Sequence, residues 1–274
     1  MLRKLFKYDM KYVSRIMLPI YAALLAVTGL FCFLLYLENL WDSVVLFSAG
    51  VIFLYVVLLI ATAVAPTILI AVRIFSNLYG DEGYLMHTLP VKPTSHLWSK
   101  CWTAILFEVI SIVAAILSIL VLVFSSLLIS GISFSEIVQT IRQYFPIIWD
   151  AIKELLSDSD ILAIVIVYLL TILISPFYTF FMIFSACSLG QRARKHKILA
   201  SFGAYFGISF AVSTLNQILS LIFILSSGAV YADDVEVFGV MFVPLLCQAI
   251  VYLALTVTGY GFSRHSLERR LNLE

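Results

Sequence analysis

Side chains able to do chemistry are few in this chain, and they fall into three groups by type and spacing. One carboxylate, Glu108, stands alone inside a long apolar run. An ionisable group so placed either marks an ion or proton pathway, or reaches the membrane edge or pairs with a loop cation. Four cysteines, Cys32, Cys101, Cys187 and Cys247, are scattered without C-x-x-C spacing and read as small apolar side chains. The third group is the stretch "YGDEGYLMHTLPVKPTSHLWSK", Tyr79–Lys100, the most polar long segment of the sequence. There is no G-x-x-x-x-G-K-[ST] phosphate loop, so the chain does not bind ATP by that route. G-x-S-x-G and H-E-x-x-H are absent too, which removes motif-based hydrolase chemistry; no catalytic or metal-ligating residue is expected.

The elements that must position these groups are set by composition. Of 274 residues, 62% are hydrophobic and 12% charged, with a mean hydropathy of +1.07. A soluble domain carries about twice that share of charge. The apolar runs are continuous rather than alternating, which selects helices over a β-barrel. The reading is an all-α polytopic membrane protein with six spans, 16–37, 44–70, 102–130, 161–188, 198–227 and 239–262. Each is long enough for the ~20 residues that cross a bilayer. The basic start followed by an apolar run imitates a secretion signal, but Ile16–Leu37 outlasts the ~7–15 residues of such a signal and reads as a retained first span.

Basic residues are one-sided. Arg3, Lys4, Lys7, Lys11 and Arg15 precede span one, and Arg73, Lys92 and Lys100 lie between spans two and three. Arg192, Arg194, Lys195 and Lys197 follow span four, and Arg264, Arg269 and Arg270 follow span six. Only Arg142 and Lys153 fall on the other side. By the positive-inside bias both termini and the Tyr79–Lys100 loop are expected in the cytoplasm, as in a multi-pass protein of a bacterial plasma membrane. No affinity for nucleic acid is expected.

Three segments outside the spans carry pattern. In residues 2–17, Leu2, Phe6, Met10, Val13 and Met17 recur every three or four positions with cations between them, which predicts an interfacial helix lying on anionic lipid. In the outer segment 131–160, Ile137, Ile141, Tyr144, Ile148, Ile152 and Leu155 follow helical spacing, with a break expected at Pro146. This helix is expected to lie on the outer surface, or to cap an outer vestibule, with Ile141, Tyr144, Ile148 and Ile152 packed on the ends of the spans. In segment 73–101, Asp81 and Glu82 suit the start of a short helix and Pro90 and Pro93 its stop, leaving Tyr84, Leu85 and Leu89 exposed as a docking knob.

Within the spans, Asn216, Gln217 and Gln248 read as polar residues that hold helices together, and Gly203 and Gly207 as a small-xxx-small pair permitting a close helix contact. Pro66, Pro176 and Pro244 read as kinks.

The Tyr79–Lys100 segment resembles the cytoplasmic loop of ATP-binding-cassette exporter permeases of type 2. The resemblance rests on Tyr79, Glu82, Gly83, Tyr84, Leu85, Thr88, Leu89 and Pro90, and on Ser99 and Lys100 opening the third span. "KYDMKYVSRIMLPIYAALL", residues 7–25, and the six-span layout are similar to those permeases as well. The resemblance implies a dimer of six-span subunits, each presenting a coupling helix between spans two and three to a separate ATPase subunit. The contact would be made by Tyr79, Asp81, Glu82, Gly83, Tyr84, Leu85, Thr88, Leu89 and Pro90. ATP and magnesium would be bound by that partner, not by this chain. The chain departs from exporters with a fused ATPase, and it has no large outer domain between spans five and six.

The expected function is thus the membrane subunit of an exporter. An apolar, aromatic interior without fixed charge favours amphipathic peptides such as bacteriocins or toxins. Drug or lipid export and a stand-alone secondary transporter using Glu108 are the alternatives, with a membrane scaffold or sensor behind them.

Overall fold

Backbone groups inside lipid find no partner but the chain itself, and continuous apolar runs therefore fold as helices. The computed structural model describes residues 2–38, 45–79, 93–191, 193, 196–226 and 237–269. Within these the chain is all-α, with helices α1 (Leu2–Glu38), α2 (Val45–Ile74), α3 (Pro93–Ile129), α4 (Phe134–Ser157), α5 (Ser159–Gly190), α6 (Lys197–Ser226) and α7 (Val237–Arg269). A π-helical turn, Phe75–Tyr79, extends α2. All but α4 are long and apolar enough to cross a membrane, giving six candidate spans in the order expected. The helices α1 and α3 have 37 residues each. At 1.5 Å per residue that is roughly 55 Å, against ~30 Å of hydrocarbon, so their ends reach well beyond the apolar layer.

Several expectations change. The amphipathic stretch 2–17 is not a separate interfacial helix, because α1 continues from Leu2 to Glu38 without a break. Its apolar stripe meets protein instead of lipid: Val13 and Met17 are fully buried against Phe107 of α3, with Ala65 and Leu69 of α2 packed alongside. Pro93 opens α3. A proline fits the first helical position because the N–H it lacks would have no partner there. The segment between the helical ends thereby shrinks to residues 80–92, which lie outside the described residues. Pro146 does not break α4, which runs through it. A helix exposed all round lets water take the carbonyl that the proline leaves without a donor. Finally, the outer residues do not pack on the described parts of the spans: Ile141 is 61% exposed and Tyr144 52%, and Ile148 and Ile152 are exposed too.

The chain forms two compact units. One comprises residues 1–72 and 95–148, the other 73–94 and 149–274. In the first, polar side chains tie the three spans together. Tyr21 of α1 shares a hydrogen bond of 2.8 Å with Ser111 of α3, and Tyr55 of α2 one of 3.0 Å with Ser118 of α3. In the second, α5 packs on both α6 and α7, which also meet each other. Ser188 of α5 and Ser266 of α7 share a buried hydrogen bond, and the Phe181 and Tyr260 rings meet edge to face at 5.6 Å. Where α5 ends, a Cβ on Gly190 would fall 2.6 Å from the Ser201 Cα of α6, so only glycine fits. In contrast, nothing lies within 4 Å of the positions a Cβ would take at Gly203 and Gly207, so among the described residues that pair makes no close helix contact.

Candidate functional site

Two polar features interrupt the apolar body, one in each unit, and they differ in kind. The first is built where α1 and α3 begin. On α1, Asp9, Val13 and Met17 are spaced by four and form one buried stripe. On α3, His96, Ser99, Lys100 and Thr103 recur at three- and four-residue spacing and are all buried. The stripes meet at Asp9, which is 4% exposed, and Lys100, which is 3% exposed. Ser99 Oγ donates to Asp9 Oδ2 at 2.6 Å, and Lys100 Nζ lies 3.6 Å from Asp9 Oδ1. The carboxylate thus holds a hydroxyl and an ammonium on its two oxygens. Thr103 Oγ1 donates back to the Ser99 carbonyl at 2.9 Å, which fixes the helix face that presents the pair.

A clamp of this kind is costly to build and more costly to break. Burying both ions consumes most of their mutual attraction, whereas removing one partner of a buried pair typically costs about 3–5 kcal/mol. It fixes the first turns of α3 to α1. Sequence reasoning did not find it. The cue available was Asp9 itself, the only acid before Glu38, in register with Val13 and Met17.

Ser99 and Lys100 are the residues of the Tyr79–Lys100 motif that the structure brings together with another element. Tyr79 closes the π-helical turn after α2. Asp81, Glu82, Gly83, Tyr84, Leu85, Thr88, Leu89 and Pro90 lie outside the described residues. Glu108, two turns beyond Lys100 on α3, is half-buried and has no ion pair or hydrogen-bond partner among the described residues.

The second feature is a cavity of about 320 Å³ among α5, α6 and α7. From α6 it receives Tyr205, Ser209, Ser213 and Gln217, spaced by four along one face, together with Asn216. From α7 come Gln248 and Tyr252, one turn apart, and from α5 Tyr178, Thr179 and Met182. The Tyr178 and Tyr252 rings stack at 4.3 Å, and Gln248 Nε2 donates to the Tyr252 hydroxyl at 3.1 Å. The Asn216 Oδ1 atom is buried without a hydrogen-bond partner. No charged side chain lines the cavity among the described residues. Asn216, Gln217 and Gln248, expected to tie helices together, instead converge on one space. The stripe from Tyr205 to Gln217 was visible in the sequence, since polar side chains at every fourth position of a span share a face.

Six long apolar helices with isolated polar contacts between them define a polytopic α-helical membrane protein. No family profile, curated protein or solved structure matches the chain.

Proposed function

We propose that the chain is the membrane subunit of an exporter of the ATP-binding-cassette kind, working as a pair of six-span subunits and driven by a separate ATPase. The observation that carries this reading is the Tyr79–Lys100 segment, whose last two residues, Ser99 and Lys100, are clamped to Asp9. A loop that receives a push has to be joined to something that will not yield. With α3 tied to α1 by a buried ion pair, force applied at residues 79–90 moves both helices as one piece. The basic residues that flank this loop and both termini favour the cytoplasmic side, where ATP is available. There Tyr84, Leu85 and Leu89 supply apolar anchors for a groove on the ATPase, which binds ATP and magnesium. The exported molecule is an amphipathic peptide.

A stand-alone ion-coupled transporter is supported less. It would have to run on Glu108, and no second ionisable group is paired with that carboxylate among the described residues.

The test is to isolate the chain from its native membranes in mild detergent and identify what accompanies it. The expected companion is a protein that hydrolyses ATP, in a ratio near one per chain. A chain that is isolated without one under several mild detergents, yet still moves a solute in vesicles along an ion gradient, is a secondary transporter and the proposal is wrong.

A further inference from the structure

The cavity among α5, α6 and α7 combines features that a mere helix contact does not need. Polar side chains in a span are costly unless satisfied, and those that only join helices bond directly across the interface. Here Asn216 keeps a buried carboxamide oxygen with no partner. An acceptor left so is destabilising, and it persists where something else supplies the donor. Next to it Gln217 presents a second carboxamide, and on α7 Gln248 a third, its Nε2 already donating to Tyr252. The Tyr252 hydroxyl, having accepted that bond, keeps its own hydrogen to donate. The lining thus offers donors and acceptors side by side and, among the described residues, no charge. The stacked Tyr178 and Tyr252 rings form an aromatic wall, and Met182 and Val212 supply apolar surface.

We infer that this cavity binds an uncharged amide-bearing segment, the backbone of a hydrophobic peptide. An amide is the complement of a carboxamide, since each donates an N–H and accepts at a C=O. The aromatic wall and the Met182–Val212 surface take the apolar side chains. A carboxylate or ammonium entering the cavity would find no counter-charge among the described lining residues and would lose its hydration without return. The volume of about 320 Å³ suits a short extended segment and falls at the lower end of the ~300–1,000 Å³ of small-ligand pockets. This deepens the exporter reading, on which calling the peptide a cargo rests. The binding itself requires no ATPase.

The experiment uses the full chain purified alone in lipid nanodiscs, and the probe is radiolabelled N-acetyl-leucyl-leucine amide. Two competitors accompany it: the same compound with its backbone nitrogens methylated, and free zwitterionic leucyl-leucine. Saturable binding of the blocked dipeptide is expected, at least tenfold weaker for the methylated analogue and absent for the zwitterion. In Asn216→Leu the preference for the unmethylated compound should disappear, with the melting temperature of the chain kept or raised. The comparison of the two blocked compounds on the unmodified chain decides the question even if the variant fails to fold. Equal binding of the methylated analogue, preference for the zwitterion, or no saturable binding, as for a cavity holding only water, would each overturn the inference. Because no ATPase is present, such a failure leaves the exporter reading standing. Conversely, a chain found without an ATPase can still pass this test.

Discussion

The clamp at the start of α3 and the cavity among α5, α6 and α7 are both polar interruptions of an apolar body, but they use opposite chemistry. At the clamp the groups are charged, nearly inaccessible and matched: Asp9 is held by Ser99 and Lys100. At the cavity they are neutral and accessible to the space they line, and Asn216 Oδ1 is left unmatched. The contrast teaches how to tell a structural polar group from a receptive one in a membrane helix. Charge is tolerated where the partners are built in, because an isolated ion is too costly to leave waiting. A neutral amide can wait for a partner at a cost of only about 1–3 kcal/mol.

Three substitutions break or sharpen that contrast, in falling order of effect. Asp9→Ala should be the most damaging, lowering the stability of the first unit by about 3–5 kcal/mol because Lys100 is left buried without its carboxylate. The double change Asp9→Leu with Lys100→Met should recover most of that loss. Thermal melting in detergent measures both, and a double variant no more stable than the single one would show that the ion pair is not what holds α1 to α3. In the second unit, which has no such pair among its described residues, the sensitive point is steric. Gly190→Ala puts a methyl 2.6 Å from the Ser201 Cα, and forcing the helices apart should cost about 1–3 kcal/mol. An unchanged melting temperature in Gly190→Ala would contradict the close approach of α5 and α6. The smallest effect is expected on α4, whose side chains are exposed. Ile141→Asp with Ile148→Asp should change the melting temperature in detergent hardly at all, within the ~0.5 kcal/mol usual for surface changes. A large drop would mean that these residues pack on protein after all.

The six spans were legible because hydropathy over ~20 residues is a property of one continuous segment. The buried clamp was not, because it joins residues about ninety positions apart and each half has another reading. Asp9 sits among Lys4, Lys7 and Lys11, and Lys100 counts among the loop cations. The same neighbours made residues 2–17 look like a lipid-bound helix. Periodicity identifies which face is apolar, but not whether lipid or Phe107 covers it. For α4 the periodicity was again right and the covering wrong. The polar stripe of α6 is a different case: Asn216 and Gln217 read singly as helix ties, although Tyr205, Ser209 and Ser213 stand on the same face. Pro93 opens α3, a role the sequence pattern left unread, since proline opens one helix as readily as it follows the end of another.

The central claim is that residues 79–90 couple this chain to an ATPase through apolar anchors, backed by the clamp. The most direct measurement is the ATPase retained by Leu85→Asp compared with the unmodified chain, each isolated from membranes under the same conditions. A carboxylate forced into an apolar groove has no partner to repay its desolvation, and an apolar anchor is commonly worth ~2 kcal/mol or more. Leu85→Asp should therefore reach the membrane and melt at the unmodified temperature, yet lose the ATPase or hydrolyse ATP without exporting. A variant that keeps its ATPase and exports normally would contradict the account, and so would one that simply unfolds, since the loop would then be part of the fold and not a docking element.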